Sequence, residues 1–259
     1  MAKKTMIAIA ALCGAVAFGD VVSSDVVGYA QAGTTANGFK AMSATSFAGI
    51  GGTLDLQDIT VAGYDSESGF EGDVYVETLD ANGKATGIYS WVDVPKDEED
   101  PDSVAFYGWY DGEELVENLT VTPGMGLWTH SDSAAYSLQS AGKVLSSSAA
   151  VSLTANGFAL VGNPMPVAHD LQDLTVGGYD TESGFEGDVY VETLGPTGKA
   201  TGIYSWVDVP KDDEDPDSVA FYGWYDGEEL VENLTIAAGE ALWCHSDSAT
   251  YTLVFPSAL

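Results

Sequence analysis

Two acidic loops contain the first residues of this sequence whose type and spacing suggest chemistry. Each loop follows the tripeptide Val-Pro-Lys and carries five carboxylates within six residues. Ca²⁺ takes six to eight oxygen ligands, and crowded carboxylates repel one another until a cation neutralises them. Neither loop has the ligand spacing of an EF-hand, so a solvated acidic face that keeps the protein soluble is the alternative interpretation.

The candidate Ca²⁺ ligands lie in two equivalent stretches of the chain. They are Asp97, Glu98, Glu99, Asp100, Asp102, Asp212, Asp213, Glu214, Asp215 and Asp217. Two acidic clusters upstream of these loops could supply ligands of the same kind. Their members are Asp65, Glu67, Glu71, Asp73, Asp180, Glu182, Glu186 and Asp188.

Tyrosine and tryptophan are concentrated in the segment SVAFYGWYDG, which occurs at 103–112 and again at 218–227. Exposed rings in such a segment would form a platform for sugar rings, whereas tryptophans that alternate with polar residues are typical of a core. Both interpretations stay open, and the core interpretation is favoured for most of the six tryptophans. The candidate ligand platform consists of Tyr107, Trp109, Tyr110, Tyr222, Trp224 and Tyr225.

Histidine and cysteine offer little for catalysis or for a transition metal. His130 and His245 stand in the matching segments WTHSDS and WCHSDS, where a histidine near a strand end is the ordinary interpretation. Cys244 becomes the only thiol if the segment that contains Cys13 is removed, so we expect no intrachain disulfide. Cys244 is then either a small buried apolar residue or a thiol that links two chains.

The sequence lacks the motifs of common enzyme classes. No G-x-S-x-G, H-E-x-x-H, P-loop or G-x-G-x-x-G occurs. A glycosidase would need one pair of carboxylates, but nothing in the sequence distinguishes a pair among 40 acidic residues. We therefore predict that the protein is not an enzyme and that it has no cofactor other than a possible Ca²⁺.

Charge excludes several classes of partner. The chain has 40 Asp and Glu against 8 basic residues, all of them lysine, and a formal net charge of −32. Proteins bind nucleic acid and anionic membranes through cationic side chains, so neither is expected as a partner. Hydrophobic residues make up 45% of the chain, which is enough for a folded core.

The first residues have the pattern that is typical of a secretory signal peptide. Lys3 and Lys4 precede an apolar stretch of about a dozen residues, which is too short to span a bilayer and is followed by small residues. We predict cleavage after residue 19 and a secreted, extracellular or cell-surface protein. No later segment is apolar for long enough to predict a membrane span.

An internal repeat dominates the rest of the chain. Residues 55–136 align without a gap with residues 170–251, at an offset of 115, and 68 of the 82 aligned positions are identical. The segment TANGF recurs upstream at an offset of 119, so four additional residues lie between these blocks in the first copy. We predict one domain over 20–142 and a second over 143–259, named below the first repeat and the second repeat.

Within each repeat the sequence predicts antiparallel β-structure. Apolar residues alternate with period two in GDVYVETL, ATGIYSWVDV and SVAFYGWY, and Asn82-Gly83 and Asp111-Gly112 mark hairpin turns. The segment DLQDLTV fits either a short helical turn or a strand. Several short strands with frequent turn signals predict an all-β fold, in which each repeat is a small antiparallel β-sandwich or a partly open β-barrel.

Several of these segments also occur together in a known kind of protein. The signal peptide, the start SSDVVGY, the NGF and GNP segments, YGWYDG and PGMGLW resemble those of uncharacterised bacterial secreted repeat proteins. This resemblance implies an extracellular compartment and a β-repeat architecture, and no particular ligand.

Two functions fit the sequence. The first is a secreted, non-enzymatic structural protein of the cell surface or extracellular matrix, whose partner is itself and which assembles through β-strand edges. The second is a bivalent carbohydrate-binding or adhesion module that binds an extracellular glycan through the Tyr/Trp-rich hairpins. A hydrolase is a third and weaker candidate.

Overall fold

The computed structural model describes residues 27–34, 36–44, 54–64, 73–97, 100–179, 188–212 and 215–258. For residues 27, 29–30, 93–97, 100–106, 208–212 and 215–221 it describes the backbone only. The predicted signal peptide, residues 1–19, lies outside this part of the chain. The described residues form several antiparallel sheets joined by turns, which confirms the all-β prediction.

Each half of the described chain contains a corresponding series of strands. Those of the first half are β1 (Val27–Gly33), β2 (Gly38–Ser43), β3 (Leu54–Asp55), β4 (Thr60–Ala62), β5 (Val74–Leu79), β6 (Ala85–Asp97), β7 (Asp100–Asp111), β8 (Glu114–Leu115), β9 (Thr120–Val121), β10 (Gly126–Ser131) and β11 (Ser137–Lys143). Those of the second half are β12 (Ala149–Leu153), β13 (Gly157–Gly162), β14 (His169–Asp170), β15 (Thr175–Gly177), β16 (Val189–Leu194), β17 (Ala200–Asp212), β18 (Asp215–Asp226), β19 (Glu229–Leu230), β20 (Thr235–Ile236), β21 (Ala241–Ser246) and β22 (Tyr251–Phe255).

The strand order is the same in both halves. In the first half, one sheet has the order β2-β10-β5-β6-β7-β8, a second has β1-β11-β4, and β3 pairs with β9. In the second half, the corresponding sheets have the orders β13-β21-β16-β17-β18-β19 and β12-β22-β15, with β14 paired to β20. These are open sheets, and none of them closes on itself.

Alternation in the sequence determines which face of each strand is buried. Along β5, Val74, Val76 and Thr78 are buried, and the residues between them are partly exposed. The turn after β5 brings the chain back into β6, and Gly83 in that turn has a φ of 72°, a value that suits glycine. The side chain of Asp80 accepts hydrogen bonds from the amides of Asn82 and Lys84 and so closes the turn.

In each half, residues of the three-stranded and six-stranded sheets belong to one hydrophobic cluster. In the first half, Val61 and Leu138 of the small sheet belong to the same buried cluster as Leu127 and the indoles of Trp91 and Trp109. The second half has an equivalent cluster. Because both sheets pack onto one cluster, apolar residues predominate among the buried residues of both.

The segment DLQDLTV, which the sequence left undecided, forms a 3₁₀ turn followed by a strand. Leu56–Asp58 is the turn and β4 follows it. The Gln57 side chain donates hydrogen bonds to the carbonyls of Trp109 and Val116, at 2.8 and 2.9 Å, and accepts one from the amide of Trp109. Gln172 makes the same three contacts in the second half. The glutamine therefore connects β7 to the segment after β8.

In the part of the chain that the structure describes, no helix is long and apolar enough to cross a membrane.

Candidate functional site

The predicted ligand platform is divided between the two faces of the sheet. Trp109 and Trp224 are fully buried, and the Trp109 indole N–H donates to the carbonyl of Ile59 at 2.7 Å. Tyr107 lies on the same inner face, where it packs against Trp91. Tyr110 is half-buried on the opposite face. Because neighbouring residues of a strand point to opposite sides, the platform as predicted does not form, and its two tryptophans are core residues.

The other predicted platform residues have the same placement in the second half. Tyr222 stacks on Trp206 and is packed against the core, whereas Tyr225 is half-buried on the outer face. Tyr110 and Tyr225 are therefore the platform residues that remain on the outer face of the large sheets.

The predicted Ca²⁺ loops lie at the ends of the two long hairpins. Asp97 opposes Asp100 at the end of the β6–β7 ladder, and Asp212 opposes Asp215 in β17–β18. The side chains of Asp97, Asp100, Asp102, Asp212, Asp215 and Asp217, and the whole of Glu98, Glu99, Asp213 and Glu214, lie outside the described residues. Among the residues that are described, no three His, Cys, Asp or Glu side chains are grouped in a way that could hold a metal ion.

Asp73, one of the upstream acidic residues considered as a Ca²⁺ ligand, instead connects parts of the fold. Its buried carboxylate accepts hydrogen bonds from the amide and hydroxyl of Ser133, both at 2.6 Å, and from the hydroxyl of Tyr136. Burial opposes ionisation of Asp73, but these hydrogen bonds together hold its pKa below the ordinary value of 3.8. Asp188 accepts the equivalent bonds from Ser248 and Tyr251.

Cys244 lies in the core of the second half. Its side chain is fully buried, and burial raises the pKa of its thiol. The residue at the equivalent position of the first half is Thr129, whose hydroxyl donates to the carbonyl of Lys40 at 2.9 Å. A buried, protonated thiol is a poor nucleophile, so Cys244 acts here as a small apolar residue, the first of its two predicted roles.

A row of aromatic and histidine side chains crosses the outer face of each large sheet. Phe39 and Tyr75 flank His130 on the two neighbouring strands, with ring centroids 4.2 and 4.8 Å from the imidazole. The His130 Nδ1 lies 3.3 Å from the carboxylate of Asp132, and the Tyr75 hydroxyl lies 3.4 Å from the same group. Phe158, His245, Tyr190 and Asp247 repeat this arrangement, which we call the aromatic row.

The two repeats are joined by backbone hydrogen bonds. The amide of Phe39 donates to the carbonyl of Pro196 at 3.0 Å, and that of Ser43 donates to Gly239 at 3.0 Å. The equivalent pairs are formed in the other direction: Phe158 donates to Ala81 at 2.7 Å and Gly162 to Gly124 at 3.0 Å. When each residue is replaced by its equivalent in the other repeat, every one of these hydrogen bonds corresponds to another of the four. The contacts of a twofold dimer have the same property. We call this interface the junction.

Side chains at the junction follow the same twofold relation. A methyl group added to Gly198 would come within 2.7 Å of the Trp128 ring, and one added to Gly83 within 2.7 Å of the Trp243 ring. Each tryptophan therefore packs on the hairpin turn of the other repeat. Ala41, Leu160 and Ala241 form the buried centre of the junction, with both tryptophans packed against them.

A cleft of about 320 Å³ opens at the junction. Equivalent residues from the two repeats line it in pairs: Glu77 with Glu192, Leu79 with Leu194, Gly83 with Gly198, and Trp128 with Trp243, together with Ala85. This volume is at the lower end of the range typical of small-molecule sites. The cleft is the candidate functional site.

The polar groups of the cleft are acidic. Glu77 lies on β5 directly opposite Trp128, and Glu192 lies on β16 opposite Trp243. Burial raises the pKa of Glu77, and the nearby His130 partly opposes this shift. Among the described residues, no hydrogen bond or ion pair reaches either carboxylate.

The sequence does not reveal this cleft. Glu77 and Glu192 are two of 40 acidic residues, and their equivalence by the repeat is shared with most of the others. The cleft forms only where one repeat meets the other, so no local pattern identifies it. The sequence offers one signal. Alternation along β5 places Glu77 on the outer face, and Trp128 lies on the same face of the neighbouring strand.

Comparison of the chain with protein-family models, curated proteins and solved structures finds no match.

Proposed function

We propose that this protein is a secreted, non-enzymatic structural protein of the cell surface or extracellular matrix, and that it joins copies of itself as a bivalent unit. The observation that carries the proposal is the twofold relation of the junction contacts. Because the two repeats contact each other through equivalent residues, the second repeat carries a copy of each surface of the first. The two copies have a fixed position relative to one another. A molecule with two equivalent joining surfaces can extend an assembly in two directions. Each repeat is in this proposal a small β-sandwich.

The two long hairpins supply the strand edges for such assembly. Pairing of β5 with β6 ends at Trp91, whereas β6 continues to Asp97. No described strand pairs with the outer edges of 92–97 and 100–107, or with the equivalent stretches 207–212 and 215–222. We call these two-stranded extensions the ribbons. Unpaired edges accept strands from other chains, while the edges of β2 and β13 are covered inside the molecule by the junction.

Charge sets the conditions under which the ribbons would pair. At a net charge of −32, like-charge repulsion opposes association at low ionic strength. Salt or a divalent cation screens this repulsion. Assembly is therefore expected at physiological salt or with millimolar Ca²⁺, and a monomer is expected at low salt.

Sedimentation velocity of residues 20–259, with and without Ca²⁺, tests this proposal. The Trp109 amide donates to the Gln57 side chain, and the Trp109 carbonyl accepts from that side chain and from the Val116 amide. Both backbone groups of Trp109 therefore point away from β6. Alternation along the ladder then turns the amide of Asp93 to the outer edge of the ribbon.

The variant Asp93→Pro with Asp208→Pro removes this outward donor from both ribbons and is expected to remain monomeric under conditions in which the wild type assembles. Asp93→Asn with Asp208→Asn is the matched control, because it removes the same charge and keeps the amide. A wild type that stays monomeric at high concentration in Ca²⁺ and salt would refute the proposal.

The aromatic row supports a second candidate function, a bivalent glycan-binding module. Phe39, Tyr75 and their equivalents are half-buried on the outer face and pack against a histidine, and Tyr110 lies further along the same face. Aromatic faces beside polar groups suit sugar rings. A glycan screen with Tyr75→Ala and Tyr190→Ala distinguishes the candidates: a glycan-binding protein loses its ligand in this variant and stays folded, and a purely structural protein has no ligand to lose.

A further inference from the structure

We infer that the junction cleft is a binding site for an organic diammonium ion, a ligand with an apolar chain and a positive charge at each end. The inference is independent of self-assembly, because it concerns the cleft and not the ribbons. It rests on the kinds of group that line the cleft, on their paired arrangement and on the charge of the chain.

The lining provides negative charge without a balancing positive group. Glu77 and Glu192 are half-buried, and none of the lysine side chains that the structure describes lines the cleft. The lysines nearest in sequence, Lys84 and Lys199, are exposed residues of the adjacent turns. A carboxylate in partly apolar surroundings favours a cationic partner, because water solvates it incompletely.

The walls of the cleft distinguish an organic cation from a metal ion. Trp128, Trp243, Leu79 and Leu194 are apolar, and tryptophan faces attract ammonium groups. Ca²⁺ needs six or more oxygen ligands, whereas the described side chains that line the cleft offer two carboxylates. An alkyl chain covers the apolar walls, and an ammonium group at each end reaches a carboxylate.

The twofold relation of the lining explains why two charged ends are required. Glu77 and Glu192 occupy equivalent positions, as do the two tryptophans, so a group recognised by one repeat is recognised again by the other. A symmetric ligand that lies across the axis satisfies both halves at once. A ligand with one ammonium group leaves one carboxylate without a partner.

Isothermal titration calorimetry with 1,5-diaminopentane tests the inference on residues 20–259 at constant ionic strength. Binding of one molecule per chain is expected, accompanied by a change in tryptophan fluorescence. Glu77→Gln is expected to weaken binding by about tenfold or more, because a hydrogen bond to a charged group is lost. Glu192→Gln should have the same effect, and the double variant should bind more weakly than either.

The matched control is the double variant Glu117→Gln with Glu232→Gln. These glutamates are exposed, occupy equivalent positions in the two repeats and lie outside the cleft lining. The control changes the net charge by the same amount as the double cleft variant and should leave binding unchanged. An equal loss of affinity in this control would overturn the inference, because binding would then reflect net charge alone.

Two comparisons use the unmodified chain, so they test the binding of the diammonium ion even where a variant fails to fold. The uncharged diol of the same length should not bind, and Ca²⁺ at equal ionic strength should not displace the diammonium ion. Binding of the diol with similar affinity, or displacement by Ca²⁺, would overturn the inference.

Discussion

At the scale of single residues, His169 is the clearest departure from the repeat. It is buried, and no described residue hydrogen-bonds with its Nε2 atom. Burial lowers its pKa below the ordinary value of 6.5, although Asp173 partly offsets the shift. The equivalent residue of the first half is Leu54, which is also buried. Leu54 therefore shows that the equivalent position of the first repeat accommodates an apolar side chain.

We expect His169→Leu to stabilise the protein, by about 1–3 kcal/mol, because an unsatisfied buried polar atom is removed. As pH falls below 6.5, the unfolded chain binds a proton on this histidine before the folded chain does, so the wild type loses stability. Urea unfolding at pH 7 and pH 5 should show a larger gain at pH 5. The reciprocal variant Leu54→His should introduce the same pH dependence, and an unchanged pH profile in both variants would contradict this account.

A second residue-scale prediction concerns Asp73. Asp73→Asn should lower the free energy of unfolding by about 2–3 kcal/mol near pH 7, because the hydrogen bonds from Ser133 and Tyr136 lose their charged acceptor. The wild-type carboxylate has a lowered pKa, so its contribution is present above about pH 4 and is lost as pH falls through the folded pKa.

The difference between Asp73→Asn and wild type should accordingly shrink toward pH 3. Glu113→Gln, at an exposed position of the same half, is the control and should change stability little. A difference that grows at low pH would be inconsistent with a charged, hydrogen-bonded carboxylate.

At the scale of elements, period-two alternation predicted the main strands correctly. The buried face of β5 and the turn at Gly83 follow from the sequence. The same alternation also implies that Trp109 and Tyr110 point to opposite faces, so the platform prediction joined residues that no strand presents together. The sequence left the 3₁₀ turn of DLQDLTV undecided. Its local signal is the pair Asp55 and Asp58, which cap the turn, while the contacts of Gln57 with Trp109 are distant in sequence.

The isosteric variant Gln57→Glu tests the role of this turn. It replaces the donor group that binds two carbonyls with a carboxylate, and we expect a loss of about 2–3 kcal/mol in urea unfolding. Gln31→Glu, on an exposed position of β1, introduces the same charge and should have little effect. Equal losses in the two variants would show that charge, and not the lost hydrogen bonds, is responsible.

At the scale of the whole molecule, the junction is the feature that the sequence could not predict. The repeat is plain in the sequence, but alignment of the copies does not show that they contact one another. The predicted division at residues 142 and 143 stays a prediction. The cleft and the covered edges of β2 and β13 are consequences of the junction, and both bear directly on function.

One asymmetry of the junction provides a test by double-mutant cycle. Gly126 packs against Leu160, whereas the equivalent residues are Ala241 and Ala41. A methyl group added to Gly126 would lie 2.5 Å from the Leu160 carbonyl oxygen, so Gly126→Ala should cost about 1–3 kcal/mol.

Combined with Gly126→Ala, the variant Leu160→Ala produces the same alanine pair as Ala241 and Ala41. The double variant should therefore regain part of the free energy of unfolding that Gly126→Ala loses. The measurement is urea unfolding of both single variants and the double variant. Simple additivity of the two changes would mean that these residues do not meet across the junction.

Amide hydrogen exchange at Phe39, Ser43, Phe158 and Gly162 is the sharpest test of the twofold junction. These four amides donate the backbone hydrogen bonds between the repeats. All four amides should be protected to a similar degree, close to that of the strands in the core. Exchange of these amides at the rate of an exposed chain, while the core of each repeat stays protected, would show that the repeats are independent and would contradict the twofold unit.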